Sequence, residues 1–133
     1  MRIRFDDKVA VITGAGSGLG KSYALYLASR GAKVLVNDIG AVKNKKGCSQ
    51  QTAQLVAEEI MSHSGLAQAN FESVADPVNA QRIIEAAMDH FGSVDILINN
   101  AGILRDKTFL KMSLEDFDRV LSVHLLGAVY LTR

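Results

Sequence analysis

A chain of 133 residues has the length of one domain, and its 48% hydrophobic and 22% charged residues, with one Pro and 11 Gly, exclude disorder and a collagen-like chain. Fifteen basic against fourteen acidic side chains leave a net +1, which provides no bulk field to attract nucleic acid or an anionic membrane. The single cysteine, Cys48, rules out an internal disulfide and reads as an ordinary loop residue. No stretch reaches the roughly 20 apolar residues of a membrane helix, and the start MRIRFDDKVA carries acidic residues where a secretory signal needs an apolar core. A soluble intracellular protein is expected, with neither nucleic acid nor membrane as partner.

In chain order, Val9 to Thr13 (VAVIT) is short, β-branched and apolar, the pattern of a strand covered on both faces. A helix follows near 18–30, ending at Arg30-Gly31, and a second strand runs from Val34 to Asp38. A second helix is predicted near 49–64, closed by Ser64-Gly65, with Lys43, Lys45 and Lys46 in the loop before it as a solvated face. Ala67 to Ser73 alternates apolar with polar residues, which suits an edge strand. Ala80, Ile83, Ile84, Ala87, Met88 and Phe91 then recur at helical spacing over 77–91, with Asp76 as N-cap and Pro77 in the first turn. Ile96 to Asn99 is a fourth strand, apolar on both faces as a strand with two neighbours would be. A last helix starts at Ser113, where Ser113-Leu114-Glu115-Asp116 resembles a capping box. Four βα units with right-handed crossovers predict an α/β fold with a doubly wound parallel sheet, strand order 3-2-1-4, the third strand outermost.

The chemistry begins at the turn after the first strand, Thr13-Gly14-Ala15-Gly16-Ser17-Gly18-Leu19-Gly20. Glycines there permit a tight turn and close backbone approach to a pyrophosphate lying at a helix N-terminus. Asp38, eighteen residues beyond Gly20 at the end of the second strand, stands where a carboxylate accepts hydrogen bonds from an adenosine ribose. The competing reading is a glycine turn used only for packing.

Thr13-Gly14-x-x-x-Gly18-x-Gly20, the run Asn99-Asn100-Ala101-Gly102 and the order of elements resemble the N-terminal part of the short-chain dehydrogenase/reductase family over essentially the whole chain. VITGAGSGLGKSYALYLASRGAKVLVNDIG, NNAGILRD and VHLLGA resemble more narrowly the (3R)-hydroxyacyl-CoA dehydrogenase domain of the peroxisomal multifunctional enzymes of type 2, which make 3-ketoacyl-CoA in β-oxidation. The resemblance implies that Gly14, Ser17, Gly18, Leu19 and Gly20 cradle the pyrophosphate and that Asp38 holds the ribose. Ser73 and Val74 would flank the adenine, and Asn99, Asn100, Ala101 and Gly102 would line the cofactor, although an Asn pair at a strand end also serves simply to close a turn. NAD is expected over NADP, because Asp38 repels a 2′-phosphate and neither Ile39 nor Ser17 supplies a positive charge. The resemblance further implies an acyl-CoA substrate, a homodimer for the full-length enzyme, and a peroxisomal address, with the cytoplasm as alternative.

His124 stands where many relatives carry an Asn that supports the active-site lysine through water. Phe117, Leu121, Ala128 and Leu131 share its helical stripe, so a buried core histidine and a part in proton relay are the two readings. His63 and His90 fall near helix C-termini as solvent-facing residues, and no histidine or cysteine spacing suits a metal. The family's catalytic Ser and Tyr-x-x-x-Lys have no counterpart here: Tyr23 and Tyr26 lie on the first helix and read as packing, and Tyr130 stands three residues before Arg133. The expectation is a single dinucleotide-binding domain over 1–133, the cofactor half of a longer enzyme and inactive alone. The apolar residues of the last helix, which go nearly all round, suggest a homo-oligomer. A 3-oxoacyl carrier-protein reductase and a catalytically silent nucleotide-binding module are the alternatives.

Overall fold

Five residues buried at every position form β1 (Val9–Thr13), which lies inside a four-stranded parallel sheet. The computed structural model describes residues 3–47 and 49–133, so the loop reading of Cys48 lies outside the described residues. After β1 come α1 (Gly18–Ser29), β2 (Lys33–Asn37), β3 (Ala41–Lys43), β4 (Ser49–Gln51), α2 (Thr52–Ser62), β5 (Leu66–Asn70), α3 (Pro77–Phe91) and β6 (Ile96–Ile98). A 3-10 turn at Phe109–Lys111 leads to α4 (Leu114–Leu121), a π-helical turn at Ser122–Leu126 and α5 (Gly127–Thr132).

The sheet order is β5-β2-β1-β6, the predicted doubly wound arrangement with the third parallel strand, β5, outermost. β1 pairs with β2 from Val9↔Lys33 to Thr13↔Asn37 and with β6 from Ala10↔Ile96 to Ile12↔Ile98. Because successive strand residues face opposite ways, β1 serves two cores. Ala10 and Ile12 meet α1 and α2 through Ala24, Leu27, Val56 and Ile60. Val9 and Val11 meet Ala80, Ile83 and Ala87 of α3 and Leu131 of α5. β6 is the outer strand on its side, and its three residues are only half-buried.

Local chemistry sets the helix ends. Asp76 Oδ1 accepts from the Asn79 amide at 2.8 Å, and Gly92 closes α3 in the left-handed region at φ 87°. Ser113 Oγ accepts from the Asp116 amide at 3.1 Å, but the Asp116 carboxylate pairs with Arg105 at 3.4 Å and Lys107 at 3.5 Å instead of completing a capping box. At the other end of the sheet Asp95 ties β6 to β1. Its Oδ2 accepts from the Val9 amide at 2.9 Å and its Oδ1 from Lys8 Nζ at 3.1 Å, and these bonds hold its carboxyl below the ordinary carboxylate value.

Three expectations are corrected. Residues 49–51, which the sequence pattern assigns to a helix, are a strand that pairs antiparallel with Ala41–Lys43, so α2 starts at Thr52 and the lysines belong to a hairpin. Tyr23 and Tyr26 are exposed rather than packed, and the Tyr26 ring lies 5.0 Å from the Arg30 guanidinium. His124 is exposed, not on a buried stripe. The 3.6-residue period drawn from Phe117 to Leu131 is broken by the π-helical turn Ser122–Leu126, which re-phases the helix face in its middle. His63 and His90 are exposed at the ends of α2 and α3, and among the described residues no helix is long and apolar enough to cross a membrane.

Candidate functional site

The chain leaves β1 toward β2 on one side and later returns to β6 on the other, so a crevice opens beyond the C-terminal end of β1. A cleft of about 440 Å³ occupies it, within the size range of small-molecule sites. Its wall comes from segments 38–40, 72–74 and 100–103, with Gly14 and Ser17 from the turn after β1 and Val123 from the π-helical turn. Gly14, Ser17, Asp38, Ser73, Val74, Asn100, Ala101 and Gly102 are thus brought to one cleft. Gly18, Leu19 and Gly20 open α1 beside it, with Leu19 67% exposed. Asn99 is not part of the cleft wall; it lines a small adjoining cavity, and its Nδ2 donates to Thr132 Oγ1 at 3.3 Å.

The glycines answer two demands. Gly14 (φ 62°) and Gly18 (φ 54°) take the left-handed conformation. A Cβ on Gly14 would lie 2.9 Å from Ala101 Cα, and one on Gly20 would run into the Gly14 carbonyl oxygen, whereas around Gly18 nothing stands within 4 Å. The turn is therefore pressed onto the β6 loop on one side and open on the other. The turn leads directly into α1, whose first amides have no intrahelical partner, as at any helix N-terminus, and such a terminus suits a pyrophosphate.

Thr13 and Asn100 lock the ends of β1 and β6 together. Thr13 Oγ1 accepts from the amides of Asn100 at 3.1 Å and Ala101 at 3.0 Å, and Asn100 Nδ2 donates to the carbonyls of Thr13 at 3.0 Å and Gly14 at 3.2 Å. The Asn pair therefore does more than close a turn: one side chain carries the glycine turn. Asn37, 2% exposed, donates from Nδ2 to Asn70 Oδ1 and to the Glu72 carbonyl, both at 2.9 Å, and thereby sets the segment that bears Ser73 and Val74. Ser73 Oγ accepts from the Ala75 amide at 3.2 Å.

Asp38 Oδ2 accepts from the Gly16 amide at 2.9 Å and its Oδ1 from the Gly40 amide at 2.7 Å. The carboxylate is thereby fixed beside the glycine turn, and each oxygen keeps a second lone pair for ribose hydroxyls. The residues present fit a dinucleotide: a cradle that Cβ atoms would fill, an open side at Gly18, and an oriented acid at the far end. His124 borders the same site. Its ring fills the space where a Cβ on Gly102 would sit, and Nε2 lies 3.0 Å from both the amide nitrogen and the carbonyl oxygen of Ile103, accepting from one or donating to the other according to tautomer. It braces the loop after β6.

Sequence reasoning overlooked Asn37, Thr52 and Val123 as parts of the site. A polar residue inside the apolar run VLVND was the available signal for Asn37, because a buried amide must find partners. Thr52 and Val123 had none, since the hairpin and the π-helical turn bring them in.

The family model for short chain dehydrogenases matches residues 8–133. The chain is similar to peroxisomal multifunctional enzyme A of Dictyostelium discoideum, at 53% identity over 133 residues, 100% of this chain and 30% of that protein. It is similar to peroxisomal multifunctional enzyme type 2 of Drosophila melanogaster at 48% identity over 132 residues, 99% of this chain and 22% of that protein. Among solved structures it resembles a 7α-hydroxysteroid dehydrogenase complexed with NADH and 7-oxo glycochenodeoxycholic acid, with a TM-score of 0.86 and 35% identity over 97% of this chain and 47% of the other. The chain therefore spans less than a third of both multifunctional enzymes.

Proposed function

The chain belongs to the short-chain dehydrogenase family, and we propose from this that it supplies the dinucleotide-binding part of an NAD-dependent oxidoreductase that converts (3R)-hydroxyacyl-CoA to 3-ketoacyl-CoA in peroxisomal β-oxidation. The observation that carries the cofactor reading is the Asp38 carboxylate, held between the Gly16 and Gly40 amides at 2.9 and 2.7 Å on the wall of the cleft. A fixed negative charge there accepts ribose hydroxyls and repels a 2′-phosphate, and Ile39 and Ser17 beside it offer no compensating cation. Similarity to two peroxisomal multifunctional enzymes supports the substrate and the compartment.

A bound nicotinamide ring supplies the hydride acceptor. The residues of this chain bind and orient: the glycine turn for the pyrophosphate, Asp38 for the ribose, Ser73 and Val74 for the adenine, and Asn100 to Gly102 for the half nearer the reaction, with His124 bracing their loop. Removal of the hydroxyl proton needs a general base, which typically contributes about 10² to 10⁴ in rate. No Tyr-x-x-x-Lys occurs in the 133 residues, so the chain by itself lacks that base and forms no NADH. The exposed side chains Phe117, Leu121, Leu125 and Val129 favour a homodimer of the full-length enzyme through this helix.

The test measures NADH formation from (3R)- and (3S)-hydroxyacyl-CoA, with the 133-residue chain and with an enzyme carrying the family's Ser and Tyr-x-x-x-Lys after it. NAD-linked oxidation of the (3R) thioester by the longer protein alone is expected. Preference for NADP and a carrier-protein thioester would replace this reading with a 3-oxoacyl carrier-protein reductase. Turnover by the short chain that vanishes in His124→Ala would make His124 the base.

A further inference from the structure

Thr52, the first residue of α2, touches both glycines that hold Asp38. Its Oγ1 donates to the Gly40 carbonyl at 2.9 Å and its amide to the same oxygen at 3.0 Å. The Gly40 amide in turn donates to Asp38 Oδ1 at 2.7 Å, and Asp38 Oδ2 accepts from the Gly16 amide at 2.9 Å. The ring closes sterically, because a Cβ on Gly16 would run into Thr52 Oγ1 and would lie 2.9 Å from Asp38 Cγ. Four residues from three segments thus form one closed unit at the acid end of the cleft.

Gly40 stands at the base of a short hairpin. Beyond it the chain enters the β3–β4 hairpin, whose ladder among the described residues pairs Ala41↔Gln51, Val42↔Gln50 and Lys43↔Ser49, all exposed. A two-stranded ladder of that length is marginal by itself. Thr52 clamps the base of the hairpin, and with it the amide that aims the Asp38 carboxylate.

We infer that Thr52 is a positioning residue for the adenosine ribose: through Gly40 and Gly16 it sets the orientation of Asp38, and so the preference for NAD over NADP. This rests on the dinucleotide reading above. Thr52→Val keeps the contact with Gly16 and the amide bond but deletes the Oγ1 donor; Thr52→Ser keeps the donor. One net hydrogen bond in a half-buried position translates into roughly three- to tenfold in affinity.

The experiment uses the enzyme extended through the family's Ser and Tyr-x-x-x-Lys, titrates NADH and NADPH into the wild type, Thr52→Val, Thr52→Ser, Asp38→Ala and the double variant, and follows amide hydrogen exchange at Gly16 and Gly40. Thr52→Val is expected to weaken NADH binding about three- to tenfold, narrow the NADH/NADPH ratio and speed exchange at Gly40, with Thr52→Ser close to wild type. In the Asp38→Ala background the same substitution should change NADH affinity by less than about twofold, because it acts through Asp38. Unchanged NADH affinity in Thr52→Val, an equal loss for both cofactors, or an undiminished loss in the Asp38→Ala background overturns the inference while leaving the function standing. A wild-type extended enzyme that binds neither dinucleotide overturns the function and, with it, this role for Thr52.

Discussion

Thr13→Val is the sharpest probe of how the sheet builds the cleft. Thr13 ends β1 at 1% exposure, and its Oγ1 is shared by the amides of Asn100 at 3.1 Å and Ala101 at 3.0 Å. The Asn100 amide also donates to the Ile98 carbonyl at 3.0 Å and keeps that partner when the hydroxyl goes. The Ala101 amide has no other acceptor among the described residues, so valine leaves it unpaired at nearly unchanged side-chain volume. An unpaired buried amide costs about 1–3 kcal/mol. Ala101 lines the cleft, where water can reach it, which places the loss near the lower half, about 1–2 kcal/mol. With a urea dependence of about 2 kcal/mol per molar, the unfolding midpoint should fall by roughly 0.5–1 M. Dinucleotide affinity should fall too, because Ala101 and Gly102 lose their anchor to β1. Thr13→Ser, which keeps the oxygen, should retain affinity and most of the stability. A Thr13→Val midpoint equal to wild type, or a Thr13→Ser as damaging as Thr13→Val, would refute the view that this hydroxyl couples β1 to the β6 loop.

Gly20→Ala should destabilise by about 1–3 kcal/mol despite the better helix propensity of alanine, since its Cβ meets backbone atoms of Gly14 and Ala15 that cannot yield cheaply. Gly18→Ala meets nothing and should lose only the roughly 1–2 kcal/mol of a left-handed residue; urea unfolding of the pair checks both, and greater harm at Gly18 would reverse the assignment. Asp95, whose bonds to the Val9 amide and Lys8 lower its pKa, should give stability that is full above the ordinary carboxylate value near 3.9 and lost as pH falls through its lower folded value. Asp95→Ala should flatten that acid limb in urea midpoints taken below about pH 5, and parallel curves for variant and wild type would contradict it. A full-length enzyme that sediments as a monomer at micromolar concentration would contradict the dimer proposed for the Phe117–Leu121–Leu125–Val129 face.

What could be read beforehand divides along the range of the interactions. β1, β2 and α3 were legible because their signals are local: two-sided apolar runs, a 3.6-residue stripe, and Asp76-Pro77 ahead of a helix that spans Pro77–Phe91. The doubly wound order followed from handedness, and the glycine turn with Asp38 pointed to the cleft that opens beyond β1. The misses at residues 49–51 and at His124 share a cause: each assumes that a period continues where a non-local contact interrupts it. Gln50 and Gln51 are ordinary helix formers, yet their backbone pairs with Val42 and Ala41 beside the Thr52–Gly40 hydrogen bond, a non-local contact that their own propensity does not register. At His124 the extra residue of the π-helical turn lets Gly127 and Leu131 remain buried against the sheet while the imidazole swings to Gly102 and Ile103 at the edge of the cleft. Such a bulge relaxes the stripe in order to place one side chain, and propensity carries no term for that placement. The two failures therefore fall at the two ends of the dinucleotide cleft, where local rules yield to the geometry of a site.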